Sequence, residues 1–318
     1  MKNQNQNLLV AVAIWLACMF GLYLFFPNSM GAGKRVPQQK PEPAVQAPAT
    51  AMPASPASGG EAPKGADVPR GTRGSKPPLR TVTFGTPRTR VVATSEGAAI
   101  QSVQLLGEKW RRHKGTKDES QVDLVSPHAG APVPFSTVVT GGDGKTLVPA
   151  TTAYALVRSD GTSATFRAEE GGVTITKTLS VNPDNYGISL LVELKAAQGI
   201  SGQLSILHGT HAEEPQGGFL TPHSNTPART ICAAGNNKVE RVAIGAKHPV
   251  FEAPSAQFAG IDEQYFLSAV MPPAGVPASC RLEAQGEKSG ALISTLIVPV
   301  QVTAGGGSQQ LFQSYAGP

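Results

Sequence analysis

The sequence predicts an all-β sandwich carried behind one N-terminal membrane helix and a disordered linker. Three observations predict it. Residues Leu8–Phe26 run for 19 residues without a charge or a proline, long enough as a helix to span a ~30 Å hydrocarbon core. Pro, Ala, Gly and Ser dominate the next fifty-odd positions. From Thr81 onward, short β-branched runs alternate with period two between Gly, Asp, Asn and Pro turns.

The anchor is assigned to residues 1–26. A secretory signal peptide has a shorter apolar region and a small-residue cleavage site. Here the run ends on Phe25-Phe26-Pro27, and only a weak site exists near Gly31-Ala32-Gly33. Trp15-Leu16-Ala17-Cys18 departs from a lipoprotein box at its decisive position. The charges Lys2 against Lys34 and Arg35 leave the orientation open, because a long C-terminal body is translocated largely regardless of charge.

The linker is assigned to residues 27–80. Its composition cannot bury enough apolar surface to offset the entropy of ordering. Lys34 to Arg80 carries eight Lys/Arg against three Asp/Glu. That surplus of five equals the net charge of +5 of the chain, whose pI is near 9.1. Such a segment suits a solvated spacer or a contact with anionic headgroups. No basic patch interleaved with aromatics marks a nucleic-acid partner.

The body is assigned to residues 81–318. With 35 Gly and 27 Pro in the chain, turns are abundant and long helices are not expected. TVTF, RTRVVATS and AAIQSVQLL open it, followed by a polar surface loop over Glu108–Gln121. VDLV, FSTVVTGG, TAYALVRSDGTSATFRAEEGGVTITKTLSV and YGISLLVELKA come next. Ser159-Asp160-Gly161 and Glu170-Gly171-Gly172 make hairpin turns. GQLSILHGTH precedes a loop expected over Glu213–Asn237. The chain closes with KVERVAIG, FAGIDEQYFLSAVMP, SCRLEAQG, SGALISTLIVPVQVTAGG and SQQLFQSYAGP. About sixteen short strands in roughly 240 residues fit one sandwich domain.

Local chemistry is sparse. His208, His211, Glu213 and Glu214 are zinc-type ligands, but strand residues three apart point to opposite faces. A polar strand end is the better reading. Gly144-Lys145-Thr146 ends like a phosphate loop, yet the first glycine position is Val139 and no helix follows. Turn chemistry explains it. No G-x-S-x-G elbow or dinucleotide fingerprint is present. Trp110-Arg111-Arg112-His113-Lys114 is a basic aromatic cluster suited to a solvated loop, lipid headgroups or a partner. Cys232 and Cys280 can form a disulfide only if the body faces an oxidising compartment. Two cysteines that far apart pair by geometry, so the sequence leaves the pairing open.

Taken in order, these pieces resemble the N-terminal part of a YidC-type bacterial membrane protein insertase. Asn7-Leu8-Leu9-Val10 resembles the family's opening. Val92 to Leu105, with Gly97, Ile100 and Ser102, resembles its first strand pair, where a Gly-rich turn precedes I-x-S. Thr174–Leu179 around Lys177, then Asp184 and Tyr186, resemble its F-x-K-x-F/Y…D-Y pair. Phe258–Ala269, with Gln264, Tyr265, Phe266 and Ala269, is similar to its W-x-x-x-x-x-x-Y-F-x-x-A segment, with Phe258 in place of Trp. Tyr315, Gly317 and Pro318 resemble its closing Y-x-G-P strand.

The resemblance implies an inner-membrane anchor running from cytoplasm to periplasm and a periplasmic β-supersandwich of the mutarotase type. It implies docking to Sec translocon components and nascent membrane proteins, with no catalysis, cofactor, metal or small-molecule substrate. The family's five-helix insertase core follows the Gly-Pro strand. Nothing in this sequence matches it, so no insertase residue carries over, and this stretch is not expected to insert proteins unaided. A carbohydrate-binding or mutarotase-like module shares the expected fold. It would need aromatic platforms and a His/Glu acid–base pair. The body offers one tryptophan, Trp110, and no pair that spacing selects.

Overall fold

A computed structural model of the chain describes residues 77–125, 127–128, 130–213, 227–235 and 238–318. The expected anchor, nearly all of the expected linker, Cys18 and Glu214 lie outside the described residues. Among the described residues, no helix is long and apolar enough to cross a membrane. The one helical element among them is a single 3₁₀ turn, Glu108–Trp110.

Strands β1 (Thr81–Gly85), β2 (Thr89–Thr94) and β3 (Ala99–Leu105) form a three-stranded antiparallel sheet. After the 3₁₀ turn, β4 (Arg111–Arg112) pairs with β5 (Ser120–Gln121). Then follow β6 (Ser136–Gly141), β7 (Thr146–Val148), β8 (Ala155–Ser159), β9 (Ser163–Glu170), β10 (Val173–Val181), β11 (Gly187–Ala196) and β12 (Ile200–Glu213). The rest are β13 (Arg229–Ala234), β14 (Val239–Val242), β15 (Val250–Ala253), β16 (Ala256–Asp262), β17 (Leu267–Met271), β18 (Ser279–Ala284), β19 (Ser289–Val302) and β20 (Gly307–Gly317).

Two large antiparallel sheets make the sandwich. One has nine strands in the order β14-β13-β16-β17-β20-β11-β10-β9-β8; the other has six in the order β15-β18-β19-β12-β6-β7. The period-two pattern decides which face each strand buries. In β10, Val173, Ile175, Lys177, Leu179 and Val181 are buried, while Thr174, Thr176, Thr178 and Ser180 are half-buried on the other face. Register carries this across the sheet: Ile175 lies opposite Leu194, Leu179 opposite Leu190, and Leu190 opposite Phe312. A slip of one residue would turn this apolar set to solvent, so burial pins the pairing. From the six-stranded sheet, Leu204, Ile206, Leu292, Leu296 and Val298 pack into the same core. The three-stranded sheet adds Phe84, Val91, Ile100 and Val103 to it. Each fully buried aliphatic side chain contributes roughly 1.5–3 kcal/mol.

Turn chemistry acts where expected. Asp160 accepts backbone N–H bonds from Thr162 and Ser163 at 2.9 and 2.8 Å, closing β8–β9. These bonds hold its carboxyl down at about 2. Gly171 and Gly172 both take positive φ between β9 and β10. Gly144 (φ 80) sits in the β6–β7 turn, where Gly141 N–H donates to the Lys145 carbonyl at 2.9 Å.

Four local expectations need correction. The segment expected as loop over Glu213–Asn237 contains β13, one strand in from the edge of the nine-stranded sheet. Thr230 to Ala233 are all buried, so no alternation announced a strand hidden among Pro, Gly and Asn. VDLV forms no strand; only Asp123 bridges to Gln104. Asp123 turns its carboxylate back to the Ser102 hydroxyl and the Val103 and Val125 amides. The expected surface loop over Glu108–Gln121 is exposed at 111–120 but is ordered as a 3₁₀ turn and the β4–β5 pair. Finally, β15 had no alternating signal and brings the described strands to twenty.

Candidate functional site

The positions singled out by the family motifs fall into two groups. The first is internal. Lys177 is fully buried, and its Nζ donates to the Gly97 carbonyl at 2.7 Å and the Phe135 carbonyl at 2.6 Å. Its Nζ also lies 5.7 Å from the Tyr154 ring centroid. Burial pushes its pKa well below the usual lysine value. Both acceptors sit in left-handed backbone, Gly97 at φ 66 and Phe135 at φ 67, which aims their carbonyls inward. A Cβ on Gly97 would meet the Ala150 carbonyl oxygen at 2.5 Å. Ile100 is buried beside this tie, and its N–H donates to the Pro134 carbonyl at 2.9 Å.

The second group lies at one end of the nine-stranded sheet. There β16 and β17 form a hairpin closed by Glu263 N–H to the Phe266 carbonyl at 2.9 Å. Gln264 and Tyr265 occupy its tip; Gln264 Nε2 donates to Tyr265 Oη at 3.0 Å, and Tyr265 is 70% exposed. The hairpin is held in register by β20: Leu267 lies opposite Gly317 and Ala269 opposite Tyr315. Tyr315 meets Tyr186 edge-on at 6.4 Å and donates its hydroxyl to the Pro318 carbonyl. Gly317 has no room for a Cβ, which would lie 2.9 Å from Tyr186. Asp184 joins this end through its carbonyl, which accepts from Arg88 Nη1 at 2.7 Å.

Beside this end, the outward face of the sheet carries a short apolar stripe, separated from Tyr315 by Gln313, whose Oε1 accepts from Ser189 Oγ at 3.0 Å. Leu311 and Met271 are exposed, with Leu191 paired directly opposite Leu311 and Tyr315 on the same face. The inward face is different. Ser268 reaches His208 of the opposite sheet, Oγ to Nε2 at 3.1 Å. His208 is buried and lies against Phe135 with ring centroids 4.8 Å apart. Burial lowers its pKa to about 4. Glu263 lines the same cavity, and burial raises its carboxyl. Sequence spacing did not disclose this His/Glu pair, because 55 residues and a sheet change separate its members. The cavity has room of about 20 Å³, enough for one water. A sugar needs a cleft of several hundred Å³.

His211 points away from His208 and stacks on His128 at 4.8 Å. Among the described residues, no group of three or more His, Cys, Asp or Glu side chains is arranged to hold a metal. Cys232 on β13 and Cys280 on β18 are joined as a disulfide across the two sheets, with Cα atoms 6.5 Å apart.

Comparison with known proteins now bears on these features. Among curated proteins, the chain is 31% identical over 233 residues to the membrane protein insertase YidC of Anaeromyxobacter sp. strain Fw109-5, covering 71% of this chain and 41% of the relative. It is 32% identical over 234 residues to that of Anaeromyxobacter dehalogenans strain 2CP-C, with the same coverage. The chain thus spans about two fifths of the length of the curated relatives it matches. Among solved structures, an aldose 1-epimerase-type protein of Escherichia coli K12 overlaps with a TM-score of 0.48 at 8% identity, covering 75% of this chain and 99% of that one. A galactose mutarotase-like protein of Lactobacillus casei ATCC 334 overlaps at 0.42 and 11% identity, covering 74% and 100%. The profile of the YidC periplasmic domain matches residues 81–318, from the first residue of β1 to the last residue of the chain, and the chain belongs to that family.

Proposed function

We propose that this chain is the anchored periplasmic portion of an inner-membrane protein insertase, and that its body works by docking and positioning rather than by chemistry. The 19-residue apolar stretch Leu8–Phe26 supplies the membrane attachment, and residues 27–80 act as the tether. The body then holds translocon subunits or emerging membrane-protein segments near the site of insertion. The observation that carries this reading is the outward-facing pair Leu311 and Leu191, with exposed Met271 diagonal to Leu311 on the same face. Exposed aliphatic and Met side chains grouped on a sheet face mark protein contact surfaces.

Photo-crosslinking in intact cells tests the proposal. A photoreactive residue at Leu311 in the full-length protein is expected to capture translocon subunits or nascent membrane proteins. The same probe at Val157, exposed on the far edge strand β8, is expected to capture neither. Equal capture from both positions, or none from Leu311, would remove the stripe from the account.

A further inference from the structure

We propose that the β4–β5 hairpin, together with the Tyr265 tip, is a landing surface for anionic phospholipid headgroups. The inference rests on the anchored reading above but not on protein docking at the outer face. The hairpin is cationic: Glu108–Glu119 holds five Lys/Arg against three acidic residues, and residues 111–120 are all exposed. Three of the five act on carboxylates of the protein itself, Lys114 on Glu119. Arg111 pairs with Glu119 at 2.8 Å, and the charge of Arg112 acts on Glu263. Lys109, Lys114 and Lys117 face solvent, and Lys109 Nζ lies 4.4 Å from the Trp110 ring centroid.

The platform is built rather than loose. Glu119 accepts the Gly115 N–H at 3.0 Å as well as the Arg111 guanidinium. Thr116 donates its hydroxyl to the His113 carbonyl at 2.7 Å and accepts from the Asp118 N–H at 3.3 Å. Trp110 fixes the hairpin to the body by packing on Phe266, ring centroids 5.8 Å apart. That contact places the cationic hairpin beside the exposed Tyr265. Basic side chains beside the exposed Tyr265 suit the headgroup layer, where such a ring keeps one end apolar and one wet.

Charge suits any anionic partner, and attachment to the bilayer favours lipid over an acidic protein here. The apolar stretch at Leu8–Phe26 holds one end of the chain at the bilayer. On the anchored reading, a coil tether of the length of residues 27–80 has a root-mean-square reach of roughly 40 Å. At that range the surface is always nearby, so a weak patch suffices. Each Lys near an anionic surface strengthens the contact about fivefold.

The test uses the full chain reconstituted in vesicles, with Cys18→Ser and a fluorophore sensitive to polarity on Ser120→Cys. Ser120 is exposed on β5, and Cys232 and Cys280 are already bonded to each other. In vesicles containing phosphatidylglycerol the label is expected to shift to the blue and brighten, and to revert in high salt, where screening shortens to a few ångströms. In pure phosphatidylcholine it is expected to stay unshifted. K109Q/K114Q/K117Q, which leaves the Arg111–Glu119 pair intact, is expected to weaken the contact roughly a hundredfold. A label at Val157→Cys is expected to remain silent. An identical signal in both lipids, or none with phosphatidylglycerol, overturns the proposal. So does a shift that needs an added translocon protein, which would assign the hairpin to a protein partner. Because the crosslinking at Leu311 reads another face, either result can fail alone.

Discussion

Lys177 Nζ donates to the carbonyl of Gly97 at 2.7 Å, linking residues 80 apart in the chain. The bond runs from the middle of β10 to the turn between β2 and β3, so one side chain ties the three-stranded sheet to the nine-stranded one. Phe135, just before β6, supplies the second acceptor. A buried polar group of this size persists only with its partners satisfied.

Lys177→Met keeps most of the volume but leaves two inward carbonyls without a donor. The expected cost is about 2–4 kcal/mol in urea unfolding. Its pH dependence has a defined sign. Burial lowers the folded-state pKa, so the unfolded chain binds more protons between that value and ~10.4. Wild-type stability therefore rises with pH through that window, and the gap to Lys177→Met widens. A gap that narrows as pH rises would contradict the assignment.

His208 gives an acid-side signature. Its pKa falls from 6.5 to about 4 on burial, so the unfolded state takes up a proton that the folded state refuses. This contribution is complete above 6.5 and is lost as pH falls toward 4, by about 3 kcal/mol. His208→Gln, which keeps a polar group within reach of Ser268, is expected to flatten that part of the stability curve. Unfolding midpoints measured between pH 7 and pH 4 give the comparison.

The Cys232–Cys280 bond closes a 48-residue separation between opposite sheets. In the chain-entropy description such a loop is worth about 4 kcal/mol. Alkylation under native and reducing conditions, read by mass, is expected to modify these two thiols only after reduction. Cys232→Ala/Cys280→Ala is expected to lower the urea midpoint without changing the fold.

The fold was legible wherever one face of a strand is buried. In β10 and β11, alternation is written in the residues, and Asp160 and the Gly171-Gly172 pair announce their turns. It failed at β13, where Thr230 to Ala233 are buried on both faces. Short apolar runs then look the same whichever element they belong to. The site was less legible for a related reason. Lys177 and Gly97 stood out as separate motif residues, but only the packing of two sheets brings them together. His208 and Glu263 share a cavity through a sheet crossing that no spacing encodes. Leu311 was visible as one residue of an alternating strand. That it lies beside Met271 and Leu191 on an uncovered face depends on β20 pairing with both β17 and β11.

The central claim is that the body contributes to membrane-protein insertion by protein contact through that face. The most direct measurement compares insertion of a reporter membrane protein by full-length wild type and by Leu311→Asp/Met271→Asp. Both side chains point outward from the core, so the variant is expected to unfold at the wild-type urea midpoint. The account predicts insertion reduced several-fold, together with loss of crosslinks from a photoreactive residue at Leu191. Undiminished insertion and unchanged crosslinks, with the fold intact, would contradict it.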